Sequence, residues 1–234
     1  MAYVTPGTVA AGDVATAAAW NVLTNDVIDL DSRLRVFTNE AARDAAITAP
    51  VEGMIVVLTA PSATSYAVTG DTYAALPSTV RTVYEGTKWV CVTPLSATTN
   101  TGGTTTSTSW TATLTSGGTN PSVKLETGTQ AQLSISSIVR CVALASRQAG
   151  VSVAVSGATT LNPSGAFGAS STSVVTVGWG AYAITGSADF LIMCSRTVTL
   201  TGLTAGINTF ALNYNSDGAT IIFANRTLTV QGIA

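Results

Sequence analysis

Many short apolar runs, separated by glycine, asparagine, serine and proline, fill the chain beyond residue 109 and constrain its fold most strongly. Apolar and polar residues alternate clearly in places, as at Phe210, Leu212 and Tyr214. A period of two indicates strands with one buried face. Many such strands at near-regular spacing are typical of a β-sandwich or jelly roll, so we predict a mainly β fold with this architecture over 110–234.

A helix-like pattern precedes the β region. Apolar residues recur between Asp13 and Phe37 at alternating steps of three and four, as the a and d positions of a coiled coil do. The pattern lasts about two and a half heptads, shorter than coiled coils usually need. It predicts a coiled-coil stalk helix that self-associates; one amphipathic helix packed on its own domain is the alternative. The seam residues are Trp20, Leu23, Val27, Leu30, Leu34 and Phe37.

The first twelve residues read as an extended arm, because Pro6 and Gly7 interrupt any helix and Asp13 is a plausible N-cap. The arm has too few apolar residues for a core of its own, so we expect it to dock on a partner. Its candidate attachment residues are Tyr3, Val4, Pro6 and Val9.

The sequence suggests four regions. Residues 1–39 hold the extended arm and stalk helix, and 40–95 hold a short helix, Glu40–Ala46, followed by a small β-module. Residues 96–109 are rich in serine, threonine and glycine, which indicates a linker or a threaded extended strand. The sandwich fills 110–234.

Composition excludes several kinds of site. Histidine is absent, which removes Ser-His-Asp and Cys-His catalysis and imidazole metal ligands. The three cysteines are widely spaced and form no C-x-x-C pair, so we expect buried thiols, no metal and no cofactor. Charged residues make up only 9 %, with a net charge of −2, which gives no electrostatic footprint for nucleic acid. No apolar run is long enough to span a membrane, and we expect no signal peptide because no basic region follows Met1.

Three stretches resemble known phage proteins. Thr8 to Asp26 (TVAAGDVATAAAWNVLTND) resembles the opening of many tailed-bacteriophage minor tail and fibre proteins. Glu40 to Val92, with ARDAAI, PVEGM and VYEGTKWV, resembles a small module common in the same virion proteins. The phrases GLTAG, FALNY and NRTLTV over 202–230 resemble the closing strands of the trimeric jelly-roll family, which includes complement-type and tumour-necrosis-factor-type domains.

The resemblance implies a non-enzymatic structural protein of a tailed-phage virion, assembled in the host bacterial cytoplasm. It would be a homotrimeric minor tail or fibre protein, attached to other virion proteins through its arm and presenting a β-sandwich head for host-surface binding. A capsid decoration or head-fibre protein is the alternative. A glycan depolymerase is a third reading, disfavoured by the absence of histidine and the shortage of carboxylates beyond the linker.

If the head binds a host-surface glycan, aromatic rings near loop tips should carry the contact. Trp179 lies between two glycines with Tyr182 nearby, and Tyr214 precedes a turn. These three rings are the candidate glycan platform, and core packing is the alternative for each. For a hydrolytic carboxylate pair, Asp189 and Asp217 are candidates, although Asp217 lies in a turn sequence.

Overall fold

The computed structural model describes residues 34–141, 149–163, 176–178 and 190–234. Almost all regular structure in these ranges is β, as the sequence predicts. The elements are β1 (Leu34–Phe37), α1 (Glu40–Ala46), β2 (Ile55–Leu58), β3 (Ala67–Thr69), β4 (Val80–Tyr84), β5 (Trp89–Cys91), β6 (Leu95–Thr99), β7 (Gly103–Thr105), β8 (Ser122–Thr127), β9 (Gln130–Cys141), β10 (Ala149–Gly157), β11 (Thr176–Gly178), β12 (Phe190–Thr201), β13 (Gly206–Ser216) and β14 (Ile221–Ile233).

A small sheet with the strand order β1-β2-β4-β5 lies next to α1. The helix begins after Asn39, whose side chain accepts a hydrogen bond from the backbone N–H of Ala42 at 3.0 Å. It ends at Ala46, and Ile47 follows it into the core. The predicted helix over these residues is confirmed. Within the described ranges, no helix has both the length and the apolar character needed to cross a bilayer.

Two larger sheets carry most of the core. One has the order β11-β10-β13-β8-β3, and the other has the order β12-β9-β14-β6 with β7 also paired to β14. Alternate residues of β8, β9 and β13 are buried, as half-buried strands require. The rings of Tyr214 on β13 and Phe223 on β14 pack with centroids 5.0 Å apart, so the two sheets share one core. The arrangement is consistent with a β-sandwich.

A bulge in β14 decides which of its side chains face the core. Between Ala224 and Thr227 the register with β9 shifts, leaving one extra residue on β14. Asn225 takes a positive φ of 47°, a conformation that asparagine tolerates better than most residues. Phe223 before the bulge and Leu228 after it are both fully buried. The bulge therefore lets a thirteen-residue strand keep its apolar side chains inside.

The prediction that the coiled-coil helix continues to Phe37 is wrong. Leu34–Phe37 forms strand β1, which pairs in parallel with Ile55–Leu58, so Leu34 and Phe37 are not helical. Phe37 packs against the core of its own chain. The backbone bonds offered by β2, together with β-favouring Val36 and Phe37, outweigh the a/d spacing. The other seam positions (Trp20, Leu23, Val27 and Leu30) and the arm lie outside the described residues.

The region predicted as linker or extended strand is part of the sandwich. Residues Leu95–Thr99 and Gly103–Thr105 pair with β14 as β6 and β7. Leu95 and Ala97 are fully buried. Strand β3, from the predicted small module, likewise pairs with β8 of the predicted head. The extended-strand reading therefore describes 96–109 better than the linker reading, and the boundary at 110 cuts through both large sheets.

A fragment of residues 110–234 should not fold on its own, because it lacks β3, β6 and β7. Strands β8 and β14 would lose the strands that pair with them in the two sheets. Losing Leu95 alone should remove about 2–5 kcal/mol, which is large against a typical total of about 5–15 kcal/mol. Urea unfolding of this fragment should show no cooperative transition.

The control is a fragment of residues 34–234, which retains every described strand and should unfold cooperatively. A cooperative transition of the shorter fragment at the same urea midpoint would contradict the pairing of the sheets described above.

Candidate functional site

A buried ion pair joins α1 to the sandwich. The Arg43 side chain is 1 % exposed, and its Nη1 and Nη2 donate to Oε2 and Oε1 of Glu126, each at 2.9 Å. Its Nε donates to Asp44 Oδ1 at 2.8 Å. The bidentate geometry of the Arg43–Glu126 contact is the strongest that arginine makes with a carboxylate. It ties together residues 83 positions apart in the chain.

Aromatic side chains complete the surroundings of this pair. The Tyr66 hydroxyl donates a very short hydrogen bond to Glu126 Oε2. The Arg43 guanidinium lies over the Trp89 ring, with Cζ 4.7 Å from the ring centroid, in a cation–π contact. Tyr84 meets the same indole edge-on, with centroids 5.3 Å apart. Trp89 is therefore in contact with both Arg43 and Tyr84 and is only 8 % exposed.

The pKa values of both partners of Glu126 are shifted by their surroundings. Desolvation by itself would lower the pKa of Arg43, but the hydrogen bonds and charges of Glu126 and Asp44 outweigh it and raise the pKa. Desolvation, followed by the negative charge of Glu126, raises the pKa of Tyr66 far above its ordinary value. At neutral pH the guanidinium is therefore charged and the phenol protonated, as the hydrogen bonds require.

A cavity of about 400 Å³ opens beside the ion pair. It lies where α1, the β4–β5 turn, the end of β8 and the start of β13 meet. Its volume is within the range of about 300–1,000 Å³ of pockets that hold small molecules. Residues that contribute to its wall include Asp44, Tyr84, Thr87, Lys88, Glu126 and Ile207.

The cavity wall offers three kinds of contact. Tyr84 and the 40 % exposed Ile207 provide apolar surface. Glu126 and Asp44 provide carboxylate oxygens, and their side chains are 14 % and 58 % exposed. Lys88 provides an amine that forms no ion pair with the described residues. This combination suits reversible binding of a small polar molecule that also has an apolar face.

The sequence-based candidates fall elsewhere. Tyr214 is fully buried, and its hydroxyl donates to Asn120 Oδ1 at 2.9 Å, so it cannot be a glycan platform. The strand alternation of β13, which points Tyr214 inwards with Phe210 and Leu212, overrides the exposed turn after it. Trp179, Tyr182 and Asp189 lie outside the described residues.

The remaining acidic candidate has a local role. Asp217 Oδ1 accepts a hydrogen bond from the backbone N–H of Ala219 at 3.2 Å. The turn connects β13 to β14, which belong to different sheets, so it is not a hairpin. Among the described residues, no three or more Cys, Asp or Glu side chains lie close enough together to hold a metal ion. Cys91 is a buried free thiol, as predicted for the cysteines.

A second buried arginine lies in the core without a carboxylate contact of this kind. Arg226, turned inwards by the bulge, donates from Nη1 to the Tyr214 hydroxyl at 3.2 Å. Its Nη2 donates to the backbone carbonyls of Thr101 and Gly117. Its Nε has no partner among the described residues. These bonds link β14 and β13 to the loops after β6 and β7, so the role of Arg226 is structural.

No protein-family model matches the chain, and no curated protein matches it. Among solved structures, it is similar to a Clostridium thermocellum xylanase 10B fragment complexed with xylohexaose, at 13 % identity and a TM-score of 0.30 over 58 % of this chain and 27 % of that one. It is also similar to an infectious bursal disease virus structure, at 9 % identity and a TM-score of 0.25 over 69 % of this chain and 48 % of that one. Scores this low carry no argument about fold or function.

The Arg43–Glu126 pair should be strongly coupled in stability. Glu126→Leu alone leaves a buried guanidinium without its main counter-charge and should cost about 3–5 kcal/mol. The double variant Arg43→Met/Glu126→Leu removes both charges and should recover most of that loss. Free energies of unfolding from urea titrations at neutral pH, measured for the wild type, Arg43→Met, Glu126→Leu and the double variant, give the four corners of the cycle.

Asp44→Asn is the matched control, because Asp44 is 58 % exposed and contacts the same arginine. Its effect should stay below about 1 kcal/mol. Equal losses in the Asp44 and Glu126 variants would show that the buried pair has no special role.

Stability should fall as the solution becomes alkaline. In the unfolded chain Cys91 ionises near 9.0, whereas burial raises its pKa in the folded protein to about 12. Burial likewise raises the pKa of Tyr214 from 10.0 to about 12, despite the opposing charge of Arg226. Tyr66 shifts upwards as well. Above about pH 9–10 the unfolded state binds fewer protons than the folded state, so each group removes about 1.4 kcal/mol per pH unit.

Urea unfolding between pH 7 and pH 11 should therefore show a plateau followed by a decline. Tyr66→Phe should be less stable at pH 7, because it loses its bond to Glu126, and should decline less steeply above pH 10. An unchanged alkaline slope in Tyr66→Phe would mean that Tyr66 ionises normally in the folded protein.

Proposed function

We propose that the chain is a structural, non-enzymatic protein of a tailed-bacteriophage virion, of the minor tail or fibre type. It forms a homotrimer, attaches through its N-terminal arm, and presents its β-sandwich for host-surface binding. The phage-like phrases over 8–26 and 40–92 support this reading. The mainly β architecture is compatible with a jelly-roll head, which is the finer fold we propose.

One observation carries the self-association part of this proposal. Strand β12 is the last strand of its sheet within the described residues. It exposes Leu191 and Met193, which are 61 % and 76 % accessible in the single chain. Large apolar side chains on a terminal strand are a liability for an isolated protein, because they favour pairing with other chains. An assembled trimer would cover them.

The face that continues from these residues supports the same conclusion. Hydroxyl groups pair across the strands, as between Ser134 and Thr197 at 2.7 Å and between Thr98 and Thr227 at 3.0 Å. These hydroxyls already bond to one another, so bringing another surface against them costs less than desolvating charged side chains. A chain with only 9 % charged residues is well suited to extensive contact with copies and neighbours.

Substitutions on β12 test the assembly. The wild-type chain should be a trimer by light scattering at micromolar concentration. Leu191→Asp/Met193→Asp should shift it towards monomer, because two carboxylates would have to be desolvated at the interface. Ser78→Asp/Thr79→Asp, in the exposed loop before β4 and outside the β12 sheet, is the matched control for two added charges. A monomeric wild type would refute the homotrimer.

The position of the chain in particles tests the virion assignment. Gold-labelled antibody against the chain should decorate the tails of purified phage particles. Labelling of the capsid instead would favour the decoration or head-fibre alternative. Particles that contain none of the chain would overturn the virion assignment altogether.

A further inference from the structure

We propose that the cavity beside the Arg43–Glu126 pair binds an uncharged hexopyranose unit of a surface glycan. This inference rests on the proposed function, because it supplies the host-binding site that the buried Tyr214 cannot provide. The site lies between the β4–β5 turn and the start of β13, whereas the β12 face proposed for assembly belongs to the other large sheet.

Charge selects a neutral ligand. The cavity wall carries two cations, Arg43 and Lys88, and two carboxylates, Asp44 and Glu126, so its formal charges cancel. The guanidinium of Arg43 is already committed, since its Nε, Nη1 and Nη2 all donate to these carboxylates. An anionic ligand would have only Lys88 as a partner and would face both carboxylates.

The polar groups match the hydroxyls of a sugar. Each Glu126 oxygen accepts from Arg43, and Oε2 also accepts from Tyr66, which leaves spare acceptor capacity on Oε1. The more exposed Asp44 provides further acceptors. Lys88, which also lines the cavity, can donate to a ring or hydroxyl oxygen. Carboxylates that accept from neighbouring hydroxyls, together with a donating amine, satisfy both roles of a polyol.

The apolar part of the cavity wall matches the C–H face of a sugar. A pyranose ring has a face of C–H groups that packs on aromatic or aliphatic surface. Tyr84 is half-buried and fixed against Trp89 by its edge-on contact, so its orientation is set before a ligand arrives. Ile207 adds apolar surface where β13 begins. A preset wall lowers the ordering cost of binding.

A glycan array bearing neutral and acidic oligosaccharides, probed with the full-length protein, tests the site. We expect binding to neutral hexose-containing glycans, inhibited by the corresponding free monosaccharide. Lys88→Gln should weaken this binding by at least about tenfold. Thr87 and Lys88 are exposed in a turn, so this variant should fold normally.

Lys124→Gln is the matched control, because the Lys124 amine contacts the carbonyls of Ala63 and Thr64 and does not line the cavity. It should bind as the wild type does. As a second variant, Ile207→Asp replaces apolar surface of the cavity wall with a charge and should also weaken binding, while the protein remains folded by circular dichroism.

Three results would overturn the proposal: no glycan bound by the wild type, preference for acidic glycans, or equal losses in the Lys88 and Lys124 variants. Oligomeric state and particle labelling are measured separately. A chain found in phage tails that binds no neutral glycan would retain its proposed virion role and lose this site, whereas glycan binding by a chain absent from particles would do the reverse.

Discussion

The bidentate contact between Arg43 and Glu126 joins helix α1 to strand β8 of the sandwich. Neither α1 nor the small sheet beside it would be stable without the sandwich. Helix α1 has seven residues, fewer than an isolated helix needs in water. The small sheet beside it is built from strands of three to five residues, too few for an independent core. Both obtain their place by packing on the sandwich. A buried pair of charges is tolerated only in the geometry that satisfies it, so it permits one placement of α1 on β8.

Sequence periodicity predicted much of this architecture. It predicted the mainly β architecture, and it placed α1 at its observed bounds. It failed where local pattern and tertiary pairing disagree. Leu34 and Phe37 satisfy helical spacing, yet β2 provides a parallel partner for the same residues. The threonine-rich β6 and β7 carry too few apolar residues to stand out, and only their pairing with β14 reveals them as strands.

The candidate site was harder to predict than the fold. The sequence near a turn does not distinguish an exposed aromatic side chain from a buried one. In β13 the alternation of buried and outward positions places Tyr214 on the buried side, which excludes it as a glycan platform. No sequence motif identifies Arg43 and Glu126 as an ion pair, because their contact depends on how α1 lies across β8 rather than on any spacing in the sequence. The available signal was the rarity of acidic residues beyond residue 109, which makes each of them unusual in so uncharged a chain.

The two buried arginines show how that scarcity of charge shapes the molecule. Arg226 is held by neutral oxygens from β13 and two loops, and its surroundings close over it to leave 1 % of the residue exposed. Arg43 is matched by two carboxylates, one of them largely exposed, and a cavity opens beside it. The oxygens around Arg226 belong to the protein itself, and they leave only its Nε without a partner among the described residues. The carboxylates around Arg43 keep unused acceptor oxygens at the surface, and water or a hydroxylated ligand can donate hydrogen bonds to them. The same ion pair that fixes α1 therefore also forms part of a polar recess that has an apolar wall.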